Sequence, residues 1–110
     1  MRSLLIDELT VKDVARLREY LDSVATASEV RGLYWITLPE EALTPLQQGH
    51  GDCRPHRFAV ELDDDWLKIE FLIRPAVGLR CPCCGMAGPE QREHILAWAD
   101  DLVERLGLAT

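Results

Sequence analysis

The chain has 110 residues, enough for one domain with a modest core, and its 47% hydrophobic and 28% charged content is ordinary for a soluble globular protein. Asp and Glu number 19 against 12 Lys and Arg, a formal net charge of −7. Such a surface repels phosphate backbones, which argues against nucleic acid as a partner, and no stretch of the sequence approaches the length of a membrane span.

The segment Met1-Arg2-Ser3-Leu4-Leu5-Ile6-Asp7 has one basic residue and three consecutive apolar ones, too few for a signal-peptide core. The expectation is a cytoplasmic protein whose thiols stay reduced. The next stretch, from Leu9 to Val14, opens a helix: Thr10 can cap the backbone of Asp13, and Leu9 and Val14 sit where a hydrophobic staple would. Val14, Leu17, Leu21 and Val24 recur at spacings of three and four, which predicts one apolar stripe and a helix ending near Ser23 or Ala25.

Leu33-Tyr34-Trp35-Ile36-Thr37-Leu38 is aromatic and β-branched and stops at Pro39, which predicts a strand buried on both faces or lying centrally. Within the long connection to His56, Thr44-Pro45 predicts a short helical turn, with Thr at the cap and Pro at the first helical position. Arg57–Leu62 and Leu67–Ile73 both alternate, and Asp63-Asp64-Asp65 between them marks a turn. The two apolar rows share a face only when the numbers of paired residues sum to an odd value; Leu62 opposite Leu67 satisfies this with a four-residue loop and places Glu61 opposite Lys68, and a one-residue slip turns one row to water. Gly88-Pro89-Glu90 then opens a second long helix, with Ile95, Trp98, Ala99, Leu102, Val103 and Leu106 on its apolar face and Gly107 at its end. The elements predict a single α+β domain over 1–110. The expected architecture is a two-layer sandwich: an antiparallel sheet of about three strands, with an N-terminal and a C-terminal helix packed on one face.

The four cysteines concentrate the chemistry. Cys81-Pro82-Cys83-Cys84-Gly85 holds three of them, and Cys53 lies beyond the hairpin. The hairpin brings residues 50–56 and 75–85 to the same sheet edge, so His50, Cys53, His56, Cys81, Cys83 and Cys84 converge, with His94 in possible reach from the last helix. Zinc takes four N/S ligands, often as two short-spaced pairs. Cys81-x-x-Cys84 and Cys53-x-x-His56 are such pairs, so Cys53, His56, Cys81 and Cys84 are the expected ligands, with His50 and Cys83 as alternates. Adjacent Cys83 and Cys84 do not readily grip one tetrahedral ion together, which leaves one of them spare. The five-residue run Cys81–Gly85 resembles the knuckle of zinc-ribbon and rubredoxin-like families, a resemblance that implies zinc held by two knuckles, the second at Cys53 and His56.

Two other outcomes for these residues remain open at this point: reduced cysteines that simply pack, and a disulfide or redox-active pair. No Gly-rich phosphate loop, nucleophile elbow or paired-carboxylate pattern is present, and Asp52 and Glu90 are the acids nearest the cysteines in sequence. The sequence thus points to a zinc-stabilised module acting through protein contacts or as a homodimer, rather than to an enzyme. The alternatives are a thiol-redox or metal-handling protein using Cys81, Cys83 or Cys84, and a metal-free interaction domain.

Overall fold

A computed structural model of the chain describes residues 2–78 and 80–108. The first helix, α1 (Val11–Val24), begins where local capping dictates. The Thr10 hydroxyl accepts the Asp13 N–H at 3.1 Å, and the Asp13 carboxylate accepts the Thr10 N–H at 3.3 Å. Two orphan donors are thereby satisfied at the helix start. The short helix α2 (Pro45–Gln48) repeats the device with Thr44 and Gln47. The last helix, α3 (Pro89–Leu106), ends at Gly107, whose φ of 61° is open to glycine without a Cβ clash.

Among the described residues the main sheet has five antiparallel strands rather than about three. They are β1 (Ser3–Ile6), β2 (Thr26–Ala27), β3 (Leu33–Thr37), β4 (Arg57–Leu62) and β5 (Leu67–Glu70), in the order β1-β5-β4-β3-β2. The two additions sit at the edges. Ser3–Ile6 pairs with β5, and Thr26–Ala27 pairs with β3. Neither carries a sequence period of its own, because each is short and is specified by its neighbour. The central place belongs to β4, while β3 is only half-buried along most of its length.

The hairpin register is the expected one, and the apolar parity allows it: Leu62 faces Leu67, Glu61 faces Lys68 and Val60 faces Ile69. Lys68 and Glu61 also form an ion pair at 3.7 Å. Before the hairpin, Gly32 (φ 83°) lies so close to β4 that a Cβ would meet the Leu62 carbonyl oxygen at 2.6 Å. Only glycine fits that approach.

Phe58, Val60, Leu62, Leu67, Ile69, Phe71 and Ile73 form one core with Leu17 and Leu21 of α1 and Ile95, Ala99 and Leu102 of α3. Trp98 of α3 meets Phe58 edge-to-face at 5.6 Å, so both helices close on the same face of the sheet. Leu17 and Leu21 are fully buried, and truncating either to Ala costs about 2–5 kcal/mol by transfer and cavity effects. No described helix is long and apolar enough to cross a membrane.

The alternating run predicted over Leu67–Ile73 is handed from one partner to another at Phe71. Its N–H donates to the Arg2 carbonyl at 3.0 Å, and its carbonyl accepts the Ala87 N–H at 2.7 Å. Beyond it, β6 (Leu72–Ile73) pairs with β7 (Gly85–Met86), Ile73 facing Gly85. This two-stranded ribbon brackets the Cys-rich loop and fixes both its ends.

Candidate metal centre

Two chain segments are tied together at this end of the sheet. The Ala76 N–H donates to the Cys53 carbonyl at 2.9 Å, and Arg57 and Arg74 exchange both backbone hydrogen bonds at 3.0 and 2.8 Å. A 3-10 turn over Gly51–Cys53 follows His50, and within it the Cys53 N–H returns to the His50 carbonyl at 3.0 Å. On the other segment the Cys84 N–H donates to the Cys81 carbonyl at 3.0 Å, closing a tight turn.

Four side chains meet there. One donor atom each from His50, Cys53, Cys81 and Cys83 lies within 4.8 Å of all the others. Cys81 Sγ is 3.1 Å from Cys83 Sγ, 3.5 Å from Cys53 Sγ and 3.2 Å from His50 Nδ1, and Cys53 Sγ is 3.9 Å from the same nitrogen. Zinc–sulfur bonds of about 2.3 Å in a tetrahedron place two sulfurs about 3.8 Å apart, so the group has the dimensions of one coordination sphere. A disulfide would need about 2.05 Å between sulfurs, and all four cysteines are free. Cys53 and Cys83 are buried, whereas His50 and Cys81 are half-buried at the mouth.

The expected set of Cys53, His56, Cys81 and Cys84 shares two members with this group. His50 and Cys83, the alternates, complete it. Cys84 is half-buried and outside the four. His56 is only 1% exposed, and its Nε2 lies 3.4 Å from Cys83 Sγ. It stands behind the cluster as a hydrogen-bond partner of one sulfur. Spacing alone could not order these six residues, because a C-x-C and a C-x-x-C pair differ only in how the turn aims its sulfurs.

The electrostatics of the sulfurs are uneven. Cys81 is drawn down to about 7, first by the backbone N–H of Cys83 and then by the Cys83 thiol, with Cys53 and His50 adding to it. Burial pushes Cys83 up to about 12, and the hydrogen bond to Cys81 raises Cys53. One sulfur is therefore easily ionised while two hold their protons. Burial lowers the His56 pKa, with the charges of Arg54 and His50 adding to it, which favours the neutral ring.

A chain of buried amides holds the Cys81–Cys84 turn at the Cys83 carbonyl. Gln47 Nε2 donates to the Cys83 carbonyl at 3.2 Å, and Gln91 Nε2 donates to Gln47 Oε1 at 2.8 Å and to the Ala42 carbonyl at 3.0 Å. Both glutamines are 4% exposed, and nothing in their spacing announced the role. The remaining candidates lie elsewhere. His94 and Glu90 line a cleft of about 480 Å³ with Glu41 and Thr44, and its lining includes none of the four cluster residues. Asp52 is exposed on the turn beside His50 and Cys53. Compared with known proteins, the chain matches no family model, no curated protein and no solved structure.

Proposed function

We propose that the domain carries one structural zinc ion on His50, Cys53, Cys81 and Cys83 and works through protein contacts, with a partner protein or a second copy of itself. The observation that carries this reading is the convergence of four soft donor atoms within 4.8 Å from segments that are distant in sequence. Three sulfurs and one imidazole suit zinc better than magnesium or calcium, which prefer oxygen. Four protein donors fill a tetrahedron and leave no open position for substrate, which favours a structural ion over a catalytic one. The ion would lock the loop after β6 onto the turn before β4, stiffening a surface at the sheet end.

The short separation of Cys81 and Cys83, 3.1 Å between sulfurs, also fits a thiol-redox pair. Elemental analysis and a free-thiol count on protein purified under reducing conditions separate the two readings. Zinc near one per chain, with the thiols of Cys53, Cys81 and Cys83 protected from alkylation, is the expected result. Metal-free protein that takes up no added zinc but forms a Cys81–Cys83 disulfide when the reductant is exchanged for oxidised glutathione would replace the first reading with the second.

A further inference from the structure

The face of the sheet opposite the helices contains an unusual charge arrangement. Arg57 on β4 and Arg74, just after β6, are directly paired across an antiparallel bridge, so two guanidinium side chains start side by side on one face. Like charges in that position oppose sheet pairing. Both stack on Trp35 of β3, with the Arg57 guanidinium carbon 4.4 Å and that of Arg74 5.9 Å from the ring centroid. Arg74 reaches Glu70 at 3.0 Å, but Arg57 has no carboxylate partner among the described residues. The Nε atoms of Arg57 and Arg74 are both buried without a hydrogen-bond partner. A buried guanidinium N–H without an acceptor is costly.

The surroundings extend the pattern. A cleft of about 210 Å³ beside the pair is lined by Arg2, Lys68, Arg74, Glu70 and Leu72, among others. Together Arg2, Arg57, Lys68 and Arg74 outnumber Glu61 and Glu70 by two positive charges, on a chain whose net charge is −7. Leu72 and Trp35 supply half-buried apolar surface between the charges.

We infer that the Arg57–Arg74 pair on Trp35 is a carboxylate-binding site for an acidic segment of a partner protein, one that alternates acidic and apolar side chains. A carboxylate fits a guanidinium fork through two parallel hydrogen bonds and would bridge the two arginines, removing their repulsion. The arrangement disfavours a nucleic-acid strand, because Glu61 and Glu70 break the row of cations that a regular run of phosphates would track. The inference rests on the reading that the domain works through protein contacts, and it is independent of the metal.

The test uses the full chain with its metal and a labelled decapeptide alternating glutamate and valine, beside a lysine–valine peptide and oligothymidylate. The expected result is binding of the glutamate peptide alone, weakening with salt, with NMR shifts that include the Trp35 indole N–H. Arg57→Gln with Arg74→Gln should weaken it at least about tenfold while zinc content stays unchanged. Should that double variant fold poorly, Arg57→Lys keeps the charge but removes the planar fork, and the same loss of binding is expected from it. No binding of the glutamate peptide, or equal binding by the folded variants, overturns the site. Preferential binding of oligothymidylate through the same residues reassigns it to nucleic acid. Zinc content, measured separately on each protein, shows whether the metal reading stands or falls by itself.

Discussion

The amide nitrogen of Gln91 lies 2.8 Å from the amide oxygen of Gln47, which joins the last helix to α2, while the nitrogen of the same Gln47 amide donates to the Cys83 carbonyl. Each of these buried amides uses both its nitrogen and its oxygen: the Gln47 oxygen also accepts the Thr44 N–H at 3.0 Å, and the Gln91 oxygen accepts the Gly88 N–H at 3.3 Å. Satisfied networks of this kind specify one arrangement, and half-satisfied ones are costly.

Gln91→Ala and Gln47→Ala should each therefore destabilise the protein by about 1–3 kcal/mol. Because the two share a hydrogen bond, the double variant should lose less than the sum, with a coupling energy of about 0.5–3 kcal/mol. Denaturant unfolding of the four proteins measures this cycle. Strict additivity would mean that the contact carries no stability.

Zinc retention should distinguish the sulfurs. Cys53→Ser, Cys81→Ser and Cys83→Ser should each strip most of the metal, whereas Cys84→Ser should keep about one ion per chain. His56→Gln should keep the stoichiometry but bind more weakly, by about 10–100-fold, since groups that hydrogen-bond to ligands typically contribute on that scale. Elemental analysis and competition with a chromophoric chelator read these outcomes. Full loss in Cys84→Ser with retention in Cys83→Ser would exchange the roles of the two cysteines.

Chelation should loosen the ends of the ribbon without unfolding the domain. Small zinc fingers draw their fold from the metal, with about 10–16 kcal/mol of apparent binding energy. Here Phe58, Phe71, Leu17, Leu21, Ile95 and Leu102 are buried to within 1% of completely, in a core shared by sheet and helices. A lowered melting temperature with the helical circular dichroism retained is the expected pattern. Amide exchange should accelerate in residues 50–56 and 75–86 first. Global loss of helix would show that the core depends on the ion.

The alkaline limit of stability should involve Tyr34. Its hydroxyl donates to Asp22 Oδ1 at 2.8 Å, tying β3 to the last turn of α1. Burial, followed by that hydrogen bond and the Asp22 charge, raises its pKa above the ordinary 10.0. The folded state then holds the proton more tightly than the unfolded chain. The contribution to stability is fully present below about pH 10 and disappears as pH rises through the elevated folded value. Tyr34→Phe should flatten that alkaline decline, cost about 1–2 kcal/mol near neutrality and leave zinc content untouched. An unchanged alkaline profile would place the sensitivity elsewhere.

What the sequence by itself determined are the features set by neighbours a few residues apart. Thr10 and Asp13 define the start of α1 because an N-cap bond spans three residues, and Gly107 ends α3 because the left-handed turn suits glycine. The hairpin register follows from parity together with the short Asp63–Trp66 loop, since a one-residue slip would turn one of the two apolar rows away from the buried face. That register also brings residues 50–56 to residues 75–85. The gathering of Cys and His side chains at one sheet end was therefore legible in the sequence.

Tertiary structure decided what depends on aim rather than on adjacency. Ser3–Ile6 becomes an edge strand only because β5 offers it unpaired backbone groups, and nothing in four residues encodes that partner. Of six possible metal donors at the sheet end, the structure directs His50, Cys53, Cys81 and Cys83 inward. His56 is turned to the back of Cys83, and Cys84 spends its N–H on the Cys81 carbonyl. The pairing of Arg57 with Arg74 has the same origin, a bridge between residues 17 positions apart whose register is shifted at Phe71. Spacing in a sequence fixes how far apart two side chains can be. The direction in which each one points is set by the turns and pairings of the folded backbone around it.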